Sequence, residues 1–211
     1  MNDLIEKIKA EILAEINQKK QTYFAVRVGV SNRHLHLAKS DFETLFGKGS
    51  SLTELKQLSQ PGQFAASETV AIEVNGKKME NVRILGPFRK ETQVEISATD
   101  ARYFKVTPPV RNSGDLKDSL SIRIIGPKAT IDLEKGLIIA TRHIHFSTDE
   151  AKRFGVSNNQ MVKVRVSTEK GGIMHGVYCK VDPSYALEMH LDTDDANAML
   201  IKNGDIVEVI L

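Results

Sequence analysis

Four of the six histidines in this 211-residue chain fall in two copies of one short pattern, Arg-His-apolar-His. The first copy is Arg33-His34-Leu35-His36 and the second is Arg142-His143-Ile144-His145. On a β-strand, residues two apart leave the same face, so His34 and His36 can reach one metal ion while Leu35 points into a core. A helix would set them roughly 200° apart, too far round to share an ion. A single His-x-His is more often a solvated strand pair than a ligand pair, but its duplication in a histidine-poor chain points to two metal sites. A catalytic zinc takes three protein ligands and keeps a position for water or substrate. His190, in LEMHLDTDDANA, supplies the third ligand for one site. The other site wants a carboxylate. Glu95, in ETQVEIS, points away from apolar Val94 and Ile96, and Glu91 is an equal candidate by spacing. His175 stands beside a Gly-Gly turn and reads as a surface residue.

The basic residues near these motifs are Arg33, Arg83, Arg89, Lys90 and Arg142. Arg89 follows a Gly86-Pro87 turn, and an arginine held at a turn can grip two oxygens of a phosphate at once. No Walker loop, GxGxxG fingerprint or GxSxG elbow occurs. Cys179 is the only cysteine, which excludes an internal disulfide and a thiolate zinc cage, and it reads as buried structure rather than as a nucleophile. With 29 basic and 27 acidic residues the net charge is +2, which gives no signature of nucleic-acid binding. No apolar run approaches the roughly 20 residues of a membrane span, and no secretory signal is evident, so a reducing cytoplasmic setting is expected.

These residues need short strands to position them, and the sequence supplies many. Runs such as TYFAVRVGV, ETVAIEVNG, SLSIRIIGP, QMVKVRVST and NGDIVEVIL alternate apolar with polar residues and stop at Gly, Pro or Asn. Asn75-Gly76 is a hairpin signal. Region 48–67 reads as loop with a turn at Pro61-Gly62, and Thr107 to Asp118 reads as a linker between halves. Segment 33–47 echoes 142–155, each a His-x-His strand followed by a short helix ending at Gly47 or Gly155, with capping-box spacing at Ser40/Glu43 and Ser147/Glu150. VRILGP (82–87) echoes IRIIGP (122–127) in the same way. The expected fold is therefore mainly β: two related units, barrels or sandwiches, each with a short helix, over 21–118 and 119–211. Residues 1–20 form an additional amphipathic helix with Leu4, Ile5, Ile8, Ile12, Leu13 and Ile16 on one face. That face packs on its own domain, on a neighbouring subunit of a homo-oligomer, or on a separate partner.

The segments VSNRHLHL (30–37), QPGQFAASETV (60–70), NVRILGPFRKETQVEIS (81–97), TDAR (99–102), ATRHIHF (140–146) and LEMHLDTDDANA (187–198) together resemble the PduL-type phosphate propanoyltransferases, which are zinc-dependent phosphotransacylases. The resemblance spans about residues 24–211. It implies two Zn2+ per chain, one on His34, His36 and Glu95 and one on His143, His145 and His190. It also implies phosphate on Arg89, with coenzyme A against Val30, Ser31, Asn32, Arg83 and Asn197. The implied fold is two small barrels whose first strands can be exchanged. The implied reaction interconverts acyl-CoA (propanoyl- or acetyl-CoA) and phosphate with acyl phosphate and CoA. The chain departs from the family pattern after its RNSG motif (111–114), where a Gly-rich turn is replaced by DLKDSL. Relatives inside bacterial microcompartments carry an amphipathic N-terminal helix that directs them to the shell, and residues 1–20 resemble one. The same ligands would also suit a two-zinc hydrolase of esters or phosphates, or a non-catalytic protein stapled by zinc.

Overall fold

The computed structural model describes residues 23–211 together with Ile5, Glu6 and Lys9. Apart from those three residues, the helix expected over 1–20 lies outside the described residues. The elements are, in order, β1 (Tyr23–Ser31), β2 (His34–His36), α1 (Lys39–Phe46), β3 (Glu54–Gln57), β4 (Phe64–Val74), β5 (Lys77–Gly86), β6 (Gln93–Glu95), α2 (Ala98–Phe104), β7 (Val110–Arg111), β8 (Leu120–Ile125), β9 (Thr130–Ala140), β10 (His143–Phe146), α3 (Thr148–Phe154), β11 (Met161–Val166), β12 (Gly172–Val181), β13 (Glu188–Asp192), α4 (Thr193–Ala198) and β14 (Ile206–Ile210).

These strands close into two six-stranded barrels. One runs β1-β13-β10-β12-β11-β14. The other runs β4-β5-β2-β6-β9-β8 and closes because β8 pairs with both β4 and β9, while β3 and β7 extend it at two places. The barrels repeat each other strand for strand. The histidine strand β2 lies parallel to β5 and antiparallel to β6, and β10 lies parallel to β12 and antiparallel to β13. Each barrel encloses its own apolar core, with Leu35, Phe42, Ile84 and Phe104 in one and Phe24, Ile144, Phe146 and Met189 in the other. The mainly-β, two-barrel expectation is thus met.

The first strand of each repeat sits in the other repeat's barrel. β1 lies between β13 and β14, and β9 lies between β6 and β8. β8 and β9 therefore share a barrel with β2, although both follow residue 118. Residues 107–118 contribute β7, which pairs with β9. The region 48–67, expected to be loop, holds β3 and the start of β4. All four β3 residues are exposed, so no alternation marks that strand in the sequence.

Local chemistry explains the turns and caps. Asn75 and Gly76 join β4 to β5 with φ of 51° and 69°, the double positive φ that a two-residue hairpin turn of this hand requires. Ser147 and Glu150 form the expected capping box at α3. Ser40 does not cap α1. It lies inside that helix, whose N-cap is Ala38 with no side-chain cap. Thr92 takes over from outside the segment: its hydroxyl accepts the Ala38 amide (2.9 Å) and donates to Asp41 in the first turn (2.5 Å). A capping box not anticipated from sequence forms at α2, between Ser97 and Asp100.

Asp100 also anchors Arg33, the residue before the first His-x-His. Its carboxylate accepts from Arg33 Nε (2.9 Å) and Nη2 (2.6 Å), a bidentate pair on a buried acid. Arg142 makes the corresponding but weaker contact in the second repeat, a single bond to Asp195 (3.3 Å). Asp100→Ala should therefore cost about 2–4 kcal/mol, since it removes charge-assisted bonds and part of a cap. At about 2–4 °C per kcal/mol for a chain of this size, the melting temperature should fall by about 5–15 °C. Asp195→Ala should cost about 1 kcal/mol or less. Thermal melts of both variants check this, and equal losses would refute the asymmetry.

A cavity between two histidine clusters

The period-2 alternation of β2 places His34 and His36 on one face and sends Leu35, fully buried, to the other. β10 does the same with His143, His145 and Ile144. Register then supplies the third member of each group. Glu95 on β6 stands opposite His34, and His190 on β13 stands opposite His143. The ligand atoms of His34, His36 and Glu95 lie within 4.8 Å of one another, and so do those of His143, His145 and His190. Glu91, equal to Glu95 by spacing, is instead an exposed partner of Lys135 (2.7 Å). His175 is exposed, as expected.

The ring nitrogens fit metal ligation in the same way in both repeats. His34 Nδ1 donates to the Asn32 carbonyl (2.8 Å) and His143 Nδ1 to the Thr141 carbonyl (2.7 Å). Each bond fixes the tautomer and leaves Nε2 with a free lone pair. His36 Nδ1 and His145 Nδ1 are buried and have no hydrogen-bond partner among the described residues. A buried nitrogen left unpaired costs about 1–3 kcal/mol. The same vacancy at matched positions in two barrels is the arrangement a ligated ion would satisfy. Burial, with help from nearby positive groups, holds His36 and His143 well below the usual histidine range and His145 at about 3. They are neutral at ordinary pH, the form that binds metal. Burial alone would raise Glu95, but His34, His36, the Ser113 hydroxyl and Arg89 hold it at about 2, so it stays an anion.

Both groups open onto one cavity of about 530 Å³. Arg89 lines it, its backbone amide tied to Leu37 O (2.9 Å) and its Nη1 donating to Ser113 Oγ (2.8 Å). Ser113 is the hub of this corner. It accepts from Arg89 and from Gln93 Nε2 (2.9 Å) and donates to Glu95 Oε1 (2.7 Å), which uses its full hydrogen-bonding capacity. Lys180 lines the same cavity, and burial lowers its ammonium to about 8. Among the described residues it has no hydrogen-bond or ion-pair partner. Tyr185 closes one wall with its ring 4.3 Å from that of His145. Three cavity residues, Ser113, Lys180 and Tyr185, were not singled out from sequence. Only the RNSG motif hinted at the first of them.

The residues expected to meet coenzyme A are more dispersed. Ser31 and Asn32 line the cavity, and Val30 is half-buried against the second core. Arg83 stands in register beside His34, but its Nη1 donates to the carbonyls of Ala66 and Ser67 (2.9 Å each). Asn197 is exposed on α4. Cys179 is fully buried in the second core, and burial pushes its thiol up to about 11. It is neither accessible nor a thiolate, so it has neither property a nucleophilic cysteine needs.

Known proteins resemble this chain over nearly its whole length. The sequence model of the family described as phosphate propanoyltransferase matches residues 27–202. A phosphate propanoyltransferase of Thermotoga maritima is 50% identical over 197 residues, 93% of this chain and 94% of that one. One from Lachnoclostridium phytofermentans is 49% identical over 209 residues, 99% of this chain and 97% of that one. One from Salmonella typhimurium is 43% identical over 197 residues, 93% of this chain and 91% of that one.

Proposed function

The chain belongs to the phosphate propanoyltransferase family, and on that premise we propose that it transfers an acyl group between coenzyme A and inorganic phosphate with two zinc ions. One ion would be held by His34, His36 and Glu95, the other by His143, His145 and His190. Propanoyl- and acetyl-CoA are the proposed acyl donors. The observation that carries this reading is the opening of both ligand groups, Arg89 and Lys180 onto a single cavity. Three-ligand groups facing a cavity suit catalysis, whereas a staple would close its sites with a fourth ligand.

When bound, the zinc ions would supply Lewis acidity for the phosphate and for the thioester carbonyl or departing thiolate. The chain's own residues do the rest. Phosphate is a poor nucleophile in water because it is strongly hydrated. The Arg89 fork strips that hydration and presents one oxygen to the substrate, with Ser113 fixing the fork. The Lys180 ammonium adds a second positive charge to the same partly dehydrated space. A phosphate oxygen attacks the thioester carbon, the C–O bond forms as the C–S bond breaks, and the proton of hydrogenphosphate ends on the departing thiolate. Ser31 and Asn32 at the cavity wall, with Arg83 and Asn197 outside it, are the proposed contacts of coenzyme A. The apolar stripe of residues 1–20 supports a further proposal, that this segment directs the protein to a microcompartment shell. No helix of the described residues is long and apolar enough to cross a membrane.

Two measurements test the reaction. Free thiol should appear from propanoyl- or acetyl-CoA only when phosphate is present, and acyl phosphate should appear in equal amount. Thiol release independent of phosphate would establish a hydrolase instead. Because attack is direct, labelled CoA should not exchange into acyl-CoA when both phosphate and acyl phosphate are withheld. Cys179→Ser should leave turnover within a few-fold of the parent. Rapid exchange that disappears in Cys179→Ser would replace direct attack with a thiol intermediate.

A further inference from the structure

Each third ligand has a companion two residues earlier on the same strand and the same face: Gln93 before Glu95 on β6, and Glu188 before His190 on β13. The two companions are equivalent, since Gln93 stands opposite His36 and Glu188 opposite His145. Each hydrogen-bonds to its ligand, but with opposite polarity. Gln93 Nε2 donates to Glu95 Oε1 (2.5 Å), whereas the Glu188 carboxylate accepts from His190 Nε2 (2.7 Å). A carboxylate ligand needs a donor beside it and an imidazole ligand needs an acceptor. The exchange of Gln for Glu therefore tracks the exchange of Glu for His.

Both companions are held from elsewhere in the chain. Gln93 Oε1 accepts from Gly114 N (2.7 Å). Glu188 accepts from Ser59 Oγ, and Gln60 Nε2 lies 3.5 Å from the same oxygen. Gln60 is itself fixed by two bonds to the backbone of Ala186 (3.0 and 3.2 Å). Room for the Glu188 carboxylate comes from Gly29 on β1, opposite His190. A Cβ there would lie 3.2 Å from Glu188 Cδ.

We infer that Gln93 and Glu188 are a matched pair of positioning residues, each fixing the orientation of one metal's third ligand. Glu188 sets His190 as the Nε2–H tautomer and so turns Nδ1 toward the ion. This rests on the two-zinc reading above. Outer carboxylates of this kind hold imidazole ligands in other metal sites and are worth about 10- to 100-fold in metal affinity.

The test is zinc affinity by chelator competition, with each site followed in a background where the other is emptied by His34→Ala or His143→Ala. Glu188→Gln, which preserves volume, should weaken the second site by about 10- to 100-fold and leave the first unchanged. Gln93→Met should do the reverse. Parent protein that binds two zinc ions, with Glu188→Gln binding both equally well, overturns this inference and leaves the function standing. Parent protein that binds none overturns both. Nitrogen-15 NMR of the metal-free parent reads the tautomer without any variant. It should show His190 protonated on Nε2 and His34 and His143 on Nδ1, and His190 protonated on Nδ1 would overturn the pairing.

Discussion

Protein carrying His143→Ala will bind one zinc fewer per chain than its parent and lose about 10³-fold in turnover. Among the described residues the second group is His143, His145 and His190, so losing one leaves two ligands, too few to retain the proposed ion. The rate loss is the size expected when several kcal/mol of transition-state charge stabilisation vanish, at about 1.4 kcal/mol per tenfold. The fold should largely survive. The His143 side chain faces the cavity, while the core of that barrel is built from Ile144, Phe146, Met189 and their neighbours on the other face. Metal analysis, turnover and a thermal melt separate the possibilities. A variant that loses its metal and several kcal/mol of stability but had no activity to lose would mark the ions as staples. A variant that keeps two ions would overturn the assignment of the second site.

Arg89→Lys will raise the phosphate concentration needed for half-saturation by about 10- to 100-fold, with a smaller effect on acyl-CoA. Lysine keeps the charge but loses the planar fork, and with it a second charge-assisted bond worth about 1.5–3 kcal/mol. It also loses the Nη1 bond that fixes the side chain to Ser113 at the cavity wall. Arg27 and Arg165 provide controls. Arg27 points outward from β1, and Arg165 pairs with Glu208 on the outside of the second barrel. The same change at either should move turnover little. Phosphate saturation curves of the three variants decide the matter, and an unchanged curve for Arg89→Lys would remove it as the anion clamp.

The histidine groups were legible because strand geometry is short-range: a period of two fixes which side chains share a face before any tertiary contact is known. That the fold is mainly β and built of two related units was legible for a related reason, since alternation and a duplicated pattern survive without coordinates, whereas the choice of barrels over sandwiches rested on the family resemblance. The choice between Glu95 and Glu91 was not, because it depends on the register of β6 against β2, and register is set by pairing partners far away in sequence. Ser113 and Ser59 were missed for the same reason. Ser113 meets Glu95 from 18 residues away, and Ser59 meets Glu188 from 129. Ser40 failed as a cap because Thr92, 54 residues from Ala38, does that work from another element. What the sequence hid was chiefly the set of polar contacts that loops bring in from a distance.

The exchange of first strands imposes an order on biosynthesis. Among the described strands a ribosome releases β1 before all others, yet its two strand partners there are β13 and β14, which emerge after the rest. The barrel that contains β2 owns all six of its strands once β9 has emerged, so it can close while the chain is still growing. β1 must wait through the synthesis of about 180 further residues, or roughly 10–35 s at about 5–20 residues per second. Throughout that interval its row of amides and carbonyls, and the alternating apolar side chains of Phe24, Val26 and Val28, have no native partner. Of the described strands, β1 therefore waits longest for its partners, and its barrel closes only when it meets strands made about 160 to 180 residues later.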